Sequence, residues 1–106
     1  MGDLNAYSME DPIQELVRKG MTNLHKSFYD DMSYSYRFRS EVGVLDHALA
    51  NATLLPQVTG MLAFHINSDE DDCHTYDGRC SDETIFRSSD HDPVLVGLRL
   101  DSAPLV

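Results

Sequence analysis

The chain has 106 residues, of which 18 are Asp or Glu and 8 are Lys or Arg, so its formal net charge is −10. This length allows at most one small domain, and no apolar run is long enough to span a membrane. Because an acidic surface repels polyanions, the composition counts against nucleic-acid binding by this segment alone, without excluding it.

The first predicted element is a short helix over 10–19. Asp11 is placed to cap its N-terminus, and Pro12 suits its first turn. Apolar residues at helical spacing give the helix one face to bury, and Gly20 is placed to end it.

The rest of the chain is predicted to consist mainly of strands. Residues 33–38 alternate in polarity and predict a strand, which would form a hairpin with a second strand over 42–50 through a turn at 39–41. The aromatic residues of the first strand are interpreted as hairpin core rather than as a base-stacking surface; they are Tyr34, Tyr36 and Phe38. Two further strands are predicted, a brief one over 62–66 and a final one over 94–100. Between the predicted elements we expect a loop or irregular helix over 21–31, a turn or short helix over 51–60 that Pro56 limits, and a polar loop over 67–84. Residues 101–106 are expected to be a tail or linker.

Three short motifs place polar side chains at the ends of these predicted strands. They read GDLNAYS at 2–8, GVLDHAL at 43–49 and SSDHDPVLVGL at 88–98. Ionisable groups at the edge of an apolar strand are costly to hold there unless they are paired, metal-bound or catalytic. The sequence therefore predicts one site assembled from three strand ends.

The order and spelling of these motifs resemble the endonuclease/exonuclease/phosphatase family, which includes DNase I-like nucleases, sphingomyelinases and inositol-phosphate phosphatases. The resemblance is nearest to its large secreted bacterial nucleases. It implies an α/β (α+β) fold, the C-terminal half of a four-layer DNase I-like sandwich, with mainly antiparallel sheet and one or two helices over 1–100. The family's N-terminal half, with its metal-binding glutamate, has no counterpart in this sequence, so we expect a fragment with uncovered apolar surface.

The chemistry of phosphodiester hydrolysis assigns roles to the motif residues. His91 is the candidate that contacts the phosphate or activates water, because imidazole titrates near neutral pH, and Asp46 would orient it. The resemblance implies the same pairing, and it implies that Asp3 orients the nucleophile or serves the leaving group and that Asn5 holds water or phosphate. Asp3 and Asn5 are two residues apart, so on an extended chain both would point to one face. Asp90 is the predicted metal ligand, with Mg²⁺ as the expected ion and Mn²⁺ or Ca²⁺ as alternatives.

Three neighbouring residues are assigned supporting roles. Asp92 is interpreted as a loop cap and His47 as a structural histidine on the opposite face of its strand. Ser89 cannot converge with the two residues that follow it as a serine triad, so nucleophilic serine chemistry is rejected and Ser89 is expected to shape the turn.

The acidic loop that begins at Asp69 invites a calcium interpretation, which fails. Counted from Asp69, the sixth position is His74 rather than Gly and the twelfth is Cys80 rather than Glu. A solvated loop is the expectation. Cys73 and Cys80 could join His74 and His65 in a zinc site, but the spacing fits no common module, and a disulfide is favoured.

We therefore expect part of a metal-dependent phosphodiesterase that cleaves DNA or RNA by water attack and is inactive as this fragment alone. The resemblance and the disulfide indicate an extracellular or periplasmic bacterial protein. In the full-length protein the partners would be a nucleic-acid substrate and either the missing N-terminal half or a second copy over the exposed sheet. The alternatives are a phosphomonoesterase or lipid phosphodiesterase of the same family, and a non-catalytic module that dimerises.

Overall fold

The structure is a computed structural model that describes residues 1–30, 32–75, 79–80 and 84–100. The predicted tail over 101–106 lies outside these residues, as does part of the predicted loop over 67–84. Among the described residues, no helix is both long and apolar enough to cross a membrane.

The described elements are two α-helices, two short 3₁₀ helices and eight short strands. In chain order they are β1 (Gly2–Asp3), α1 (Asp11–Arg18), β2 (Thr22–Asn23), α2 (Leu24–Tyr29), β3 (Tyr36–Phe38), β4 (Glu41–Gly43), β5 (Asp46–His47), β6 (Leu49–Ala50), a 3₁₀ helix (Leu55–Gln57), β7 (Val58–Ala63), a 3₁₀ helix (Asp72–His74) and β8 (Val94–Leu98). The strands pair into four two-stranded antiparallel sheets: β1 with β5, β2 with β6, β3 with β4 and β7 with β8. The chain is thus a mixed α/β structure of small antiparallel sheets and two helices.

Helix α1 forms where the sequence predicts it, but its N-terminal cap is different. Asp11 is the first helical residue and Glu10 occupies the cap position, where its carboxylate accepts the N–H of Tyr7 at 2.6 Å. The prediction that Asp11 caps the helix is therefore wrong. Gly20 ends the helix at φ 92°, a conformation that glycine adopts without steric cost.

The predicted hairpin is present as β3 and β4. Its two turn residues, Arg39 and Ser40, both have positive φ, as a two-residue type I′ hairpin turn requires. The second strand does not continue over 42–50 as predicted. It breaks into β4, β5 and β6, because three separate strands, β3, β1 and β2, each pair with one part of it.

The segment over 21–31, assigned as a loop or irregular helix, contains strand β2 and helix α2. Asn23 closes the strand and caps the helix, since its side chain accepts the N–H of Lys26 at 3.3 Å. Asparagine at this boundary was the available sequence signal for the helix start.

A small core lies where α2, β6 and β7 meet. Its buried members are Leu24, Ala48, Ala50 and Met61, and partly buried side chains pack around them: Leu54, Leu55, Val58, Val94 and Val96. Two of the four buried members are alanines, which contribute little apolar area each. One face of the β7–β8 sheet supplies this core, and the opposite face remains exposed.

Candidate functional site

Strand pairing brings the three sequence motifs together. Asp3 of β1 lies directly opposite Asp46 of β5, and His91 forms an isolated antiparallel bridge with Tyr36 of β3. The ligand atoms of Asp3, Asp46 and His91 all lie within 4.8 Å of one another. Two like charges opposite each other across a strand pair repel, so this arrangement favours binding of a cation between them.

His91 and Asp46 form a hydrogen-bonded pair. The Nδ1 atom of His91 lies 2.8 Å from Oδ2 of Asp46. Since a carboxylate accepts, Nδ1–H donates, and in the neutral ring Nε2 is then the nitrogen with an available lone pair. The two side chains are about 23% and 15% exposed, so the pair is shielded but still reachable from solvent.

Ser35 is a site residue that the sequence reasoning missed. Its buried hydroxyl donates to Oδ2 of Asp46 at 2.7 Å and accepts the N–H groups of Asp46 and Leu45. Its backbone carbonyl accepts the N–H of Asp92 at 2.7 Å. Ser35 therefore fixes Asp46 against both the hairpin and the third motif.

Two buried histidines support the strand that carries Asp46. Nε2 of His25 donates to the carbonyl oxygen of Asp46 at 2.9 Å, so neutral Nδ1 accepts from the hydroxyl of Ser33 at 2.6 Å. His47 is fully buried and its Nε2 lies 2.8 Å from the carbonyl oxygen of Ala6, in agreement with a structural role.

Stability should depend on pH through His25. Burial lowers the pKa of His25 below its ordinary value of 6.5, although the hydrogen bond to Asp46 opposes this. As the pH falls, His25 therefore takes up a proton in the unfolded chain before it does so in the folded chain. The stability contributed by neutral His25 is complete above pH 6.5 and is lost as the pH falls toward the folded-state pKa. We expect urea unfolding at pH 7.5 and 5.5 to show a lower free energy at the acidic pH. His25→Gln should reduce the difference between the free energies of unfolding at the two pH values, while His74→Gln should preserve it. An equal difference in His25→Gln and wild type would contradict the role of His25 in the pH dependence.

Asp3 and Asn5 do not lie on an extended chain as predicted. Oδ1 of Asp3 accepts the N–H of Asn5 at 2.8 Å, and Asn5 adopts φ 48°. This is an Asx turn, in which the short polar side chain tolerates the left-handed backbone. The turn directs Asn5 into a cavity that it shares with His91.

That cavity, of about 390 Å³, will be called the histidine cavity. Its lining residues are Asn5, Tyr7, Glu10, Tyr36, Phe38, Leu45 and His91. A larger cavity of about 570 Å³ lies between the two helices and the hairpin, and it contains none of the three clustered ligand residues. The histidine cavity is therefore the one in which chemistry by His91 could occur.

The remaining residues of the third motif take separate positions. Asp90 is exposed and does not belong to the cluster of Asp3, Asp46 and His91, so its role as a metal ligand stays a prediction. Ser89 accepts the N–H of His91 at 3.1 Å and so shapes the turn.

Asp92 is buried and caps the loop after β7. Its carboxylate accepts the N–H groups of Asn67 and Ser68 at 3.0 and 2.8 Å, the hydroxyl of Ser68 and Nδ1–H of His65 at 2.7 Å. Burial alone would raise the pKa of Asp92. These hydrogen bonds outweigh the effect of burial and lower the pKa, and the hydrogen bond from His65 is the largest contributor among them. Its interpretation as a loop cap agrees with this structure.

The acidic loop is held by arginines rather than fully solvated. Asp69 accepts from Arg37 at 2.5 Å and from the hydroxyl of Tyr34, and Asp72 pairs with Arg87, whose side chain is buried. These pairs fix the loop beside the hairpin.

Cys73 and Cys80 form a disulfide. Cysteines paired in a disulfide offer no thiolate, so the group of Cys73, His74 and Cys80 does not bind zinc in this state.

The aromatic residues of the first hairpin strand are not part of the buried core, which corrects their interpretation: Tyr34 and Tyr36 are only partly buried, and Phe38 is exposed. Phe38 is 53% exposed, and its ring is nearly parallel to that of Tyr36, with centroids 6.4 Å apart. Tyr36 contacts the ring of His91 at 4.7 Å, and Tyr34 stacks on His65 at 4.0 Å. Strand alternation is correct here, but the face opposite the aromatics is the inward one and carries Ser35.

Comparisons of this chain with protein-family models, with curated proteins and with solved structures return no match. The functional argument therefore rests on the geometry of the cluster and the three motifs.

Proposed function

We propose that this chain carries the C-terminal portion of a metal-dependent phosphodiesterase, a nuclease that hydrolyses DNA or RNA by attack of water. The observation that carries the proposal is the convergence of Asp3, Asp46 and His91, from three separate motifs, within 4.8 Å. An Asp–His pair beside an additional carboxylate combines a group for proton transfer with a site for a cation, and phosphodiester hydrolysis needs both.

The two carboxylates fit a divalent ion. Among the described residues, Oδ2 of Asp46 and Oδ1 of Asp3 are used in hydrogen bonds, which leaves one further oxygen on each carboxylate. Oxygen ligands suit Mg²⁺, Mn²⁺ and Ca²⁺, with Mg²⁺ as our choice. A bound ion would neutralise phosphate charge and polarise the scissile bond.

The residues of the histidine cavity would act directly on the substrate. Nε2 of His91 would take a proton from water or, when protonated, contact a phosphate oxygen, while Asp46 stabilises the charged ring and holds its orientation. Asn5 shares the cavity and would donate its amide to a phosphate oxygen. Asp3, whose carboxylate lies within 4.8 Å of the ligand atoms of Asp46 and His91, would orient the nucleophile or serve the leaving group.

We further propose that another part of the protein covers the outer face of the β7–β8 sheet, either an N-terminal half that completes a DNase I-like sandwich or a second copy. Leu62 and Leu95 lie opposite each other on that face and are about half exposed. Exposed paired leucines on a sheet support an interaction surface. The disulfide supports an extracellular or periplasmic location.

Metal binding tests the proposal independently of turnover. We expect the 106-residue chain to bind Mn²⁺ in isothermal titration calorimetry and Asp46→Asn to weaken binding by about 5- to 150-fold, since the loss of a charged ligand costs roughly 1–3 kcal/mol. Asp30→Asn removes the same charge from the end of α2, at a positive φ that asparagine tolerates, and should bind like wild type. Equal affinities for all three proteins would contradict the proposed site. We expect little hydrolysis by this chain alone.

A further inference from the structure

Half of the basic residues in this acidic chain line one surface cleft. The cleft has a volume of about 510 Å³ and will be called the arginine cleft. Its four basic residues, out of eight in the whole chain, are Arg37, Arg39, Arg79 and Arg87. Two acidic residues, Asp72 and Asp90, also line it. The cleft thus carries an excess of two positive charges, whereas the chain as a whole carries −10.

Two of these arginines, Arg39 and Arg79, are exposed and available to a ligand. The other two hold the acidic loop: Arg37 pairs with Asp69, and the buried Arg87 pairs with Asp72. Exposed arginines on an otherwise repulsive surface create a local site for phosphate groups.

The arginine cleft and the histidine cavity share an aromatic wall. Tyr36 and Phe38 line both, and Tyr36 also contacts His91. Arg39 lies over the ring of Phe38 at 5.1 Å, which places a guanidinium group next to the exposed aromatic ring. A substrate that occupies the histidine cavity would therefore continue over these rings toward the arginines.

We propose that the arginine cleft binds a nucleotide beside the scissile phosphate, with its unpaired base on Phe38 and Tyr36 and its phosphate on the arginines. This inference rests on the proposed function and specifies its substrate as single-stranded nucleic acid. Exposed aromatic rings beside arginines form the combination that binds single strands, because every base offers a ring face for stacking. A duplex keeps those faces paired inside its helix, and a lipid or sugar phosphate has none.

Base-dependent binding is the property to measure. The probes are a fluorescein-labelled dT₁₂, the same oligonucleotide with abasic sites throughout, and a 12-base-pair duplex, titrated by anisotropy with the 106-residue chain in EDTA at low salt. We expect wild type to bind dT₁₂ about tenfold or more tightly than the other two, the range that base–aromatic stacking supports. Phe38→Ala should remove most of this preference, whereas Arg39→Ala should weaken dT₁₂ and the abasic strand similarly.

Phe64→Ala is the matched control, because Phe64 is as exposed as Phe38 but does not line the cleft. Circular dichroism verifies that all three alanine variants fold. Equal binding of dT₁₂ and the abasic strand by wild type, an unchanged preference in Phe38→Ala, or duplex binding as tight as that of dT₁₂ would overturn the subsite. None of these results would bear on the Mn²⁺ affinity, and a failure to bind Mn²⁺ would not bear on the preference for dT₁₂ over the abasic strand. The proposed metal site and the proposed nucleotide subsite are therefore tested separately.

Discussion

Replacing His91 with alanine is expected to reduce phosphodiester hydrolysis by about 10²- to 10⁴-fold, the range in which a positioned acid or base contributes. The reason is geometric: Asp46 fixes Nδ1 of His91, and Nε2 is then the ring nitrogen that can exchange a proton with substrate or water. The measurement is the turnover of a single-stranded oligonucleotide and of bis(p-nitrophenyl) phosphate, with Mg²⁺, by the complete phosphodiesterase that we propose.

His74→Ala is the control for this variant. It removes a histidine from the disulfide loop, outside the cluster of Asp3, Asp46 and His91, and should leave turnover close to wild type. Circular dichroism of both variants verifies folding. Undiminished turnover in His91→Ala would reject His91 as a catalytic residue. Robust turnover by the 106-residue chain, lost in His91→Ala, would instead reject our expectation that this segment is inactive alone.

Replacing Asp92 with alanine is expected to destabilise the fold by about 3–5 kcal/mol, as the loss of one partner from a buried charged network does. The variant leaves the N–H groups of Asn67 and Ser68 and the ring of His65 without their acceptor. Because small domains are stable by about 5–15 kcal/mol in total, a loss of this size is a large fraction of the free energy of unfolding.

The urea midpoint measures this effect, with Asp90→Ala as the matched control. Asp90 lies two residues earlier and is exposed, so its replacement should change stability by less than about 0.5 kcal/mol. Free energies of unfolding within 1 kcal/mol of each other for the two variants would contradict the role assigned to Asp92. Because the pKa of Asp92 is lowered, its contribution in wild type should be present above pH 3.8 and disappear as the pH falls through the folded-state value.

Local signals in the sequence predicted several elements correctly. Helix α1 combines apolar spacing, a proline in its first turn and Gly20 at its end, and these local signals are sufficient to predict it. The hairpin likewise follows from alternation around a two-residue turn. The disulfide required only two cysteines seven residues apart.

Errors occurred where distant segments decide the backbone. The sequence over 42–50 has the composition of one strand, but β1, β2 and β3 each pair with part of it, so it divides into three. Alternation predicts that Tyr34, Tyr36 and Phe38 share one face of their strand, but it does not indicate which of the two faces is buried. Ser35 was missed for the same reason: a single serine has no local pattern, and its function depends on the distant Asp46 and Asp92.

By itself the sequence determined which residues were candidates for the proposed chemistry: three short motifs hold Asp3, Asn5, Asp46 and His91, because polar groups beside apolar strand residues stand out locally. The tertiary structure alone decided how these residues meet: Asp3 lies opposite Asp46, His91 donates to Asp46 rather than standing free, and Asp90 lies outside the cluster. It alone placed the arginines and aromatic rings in one cleft. The physical reason is that distances between residues far apart in the chain depend on strand pairing, which no local pattern encodes.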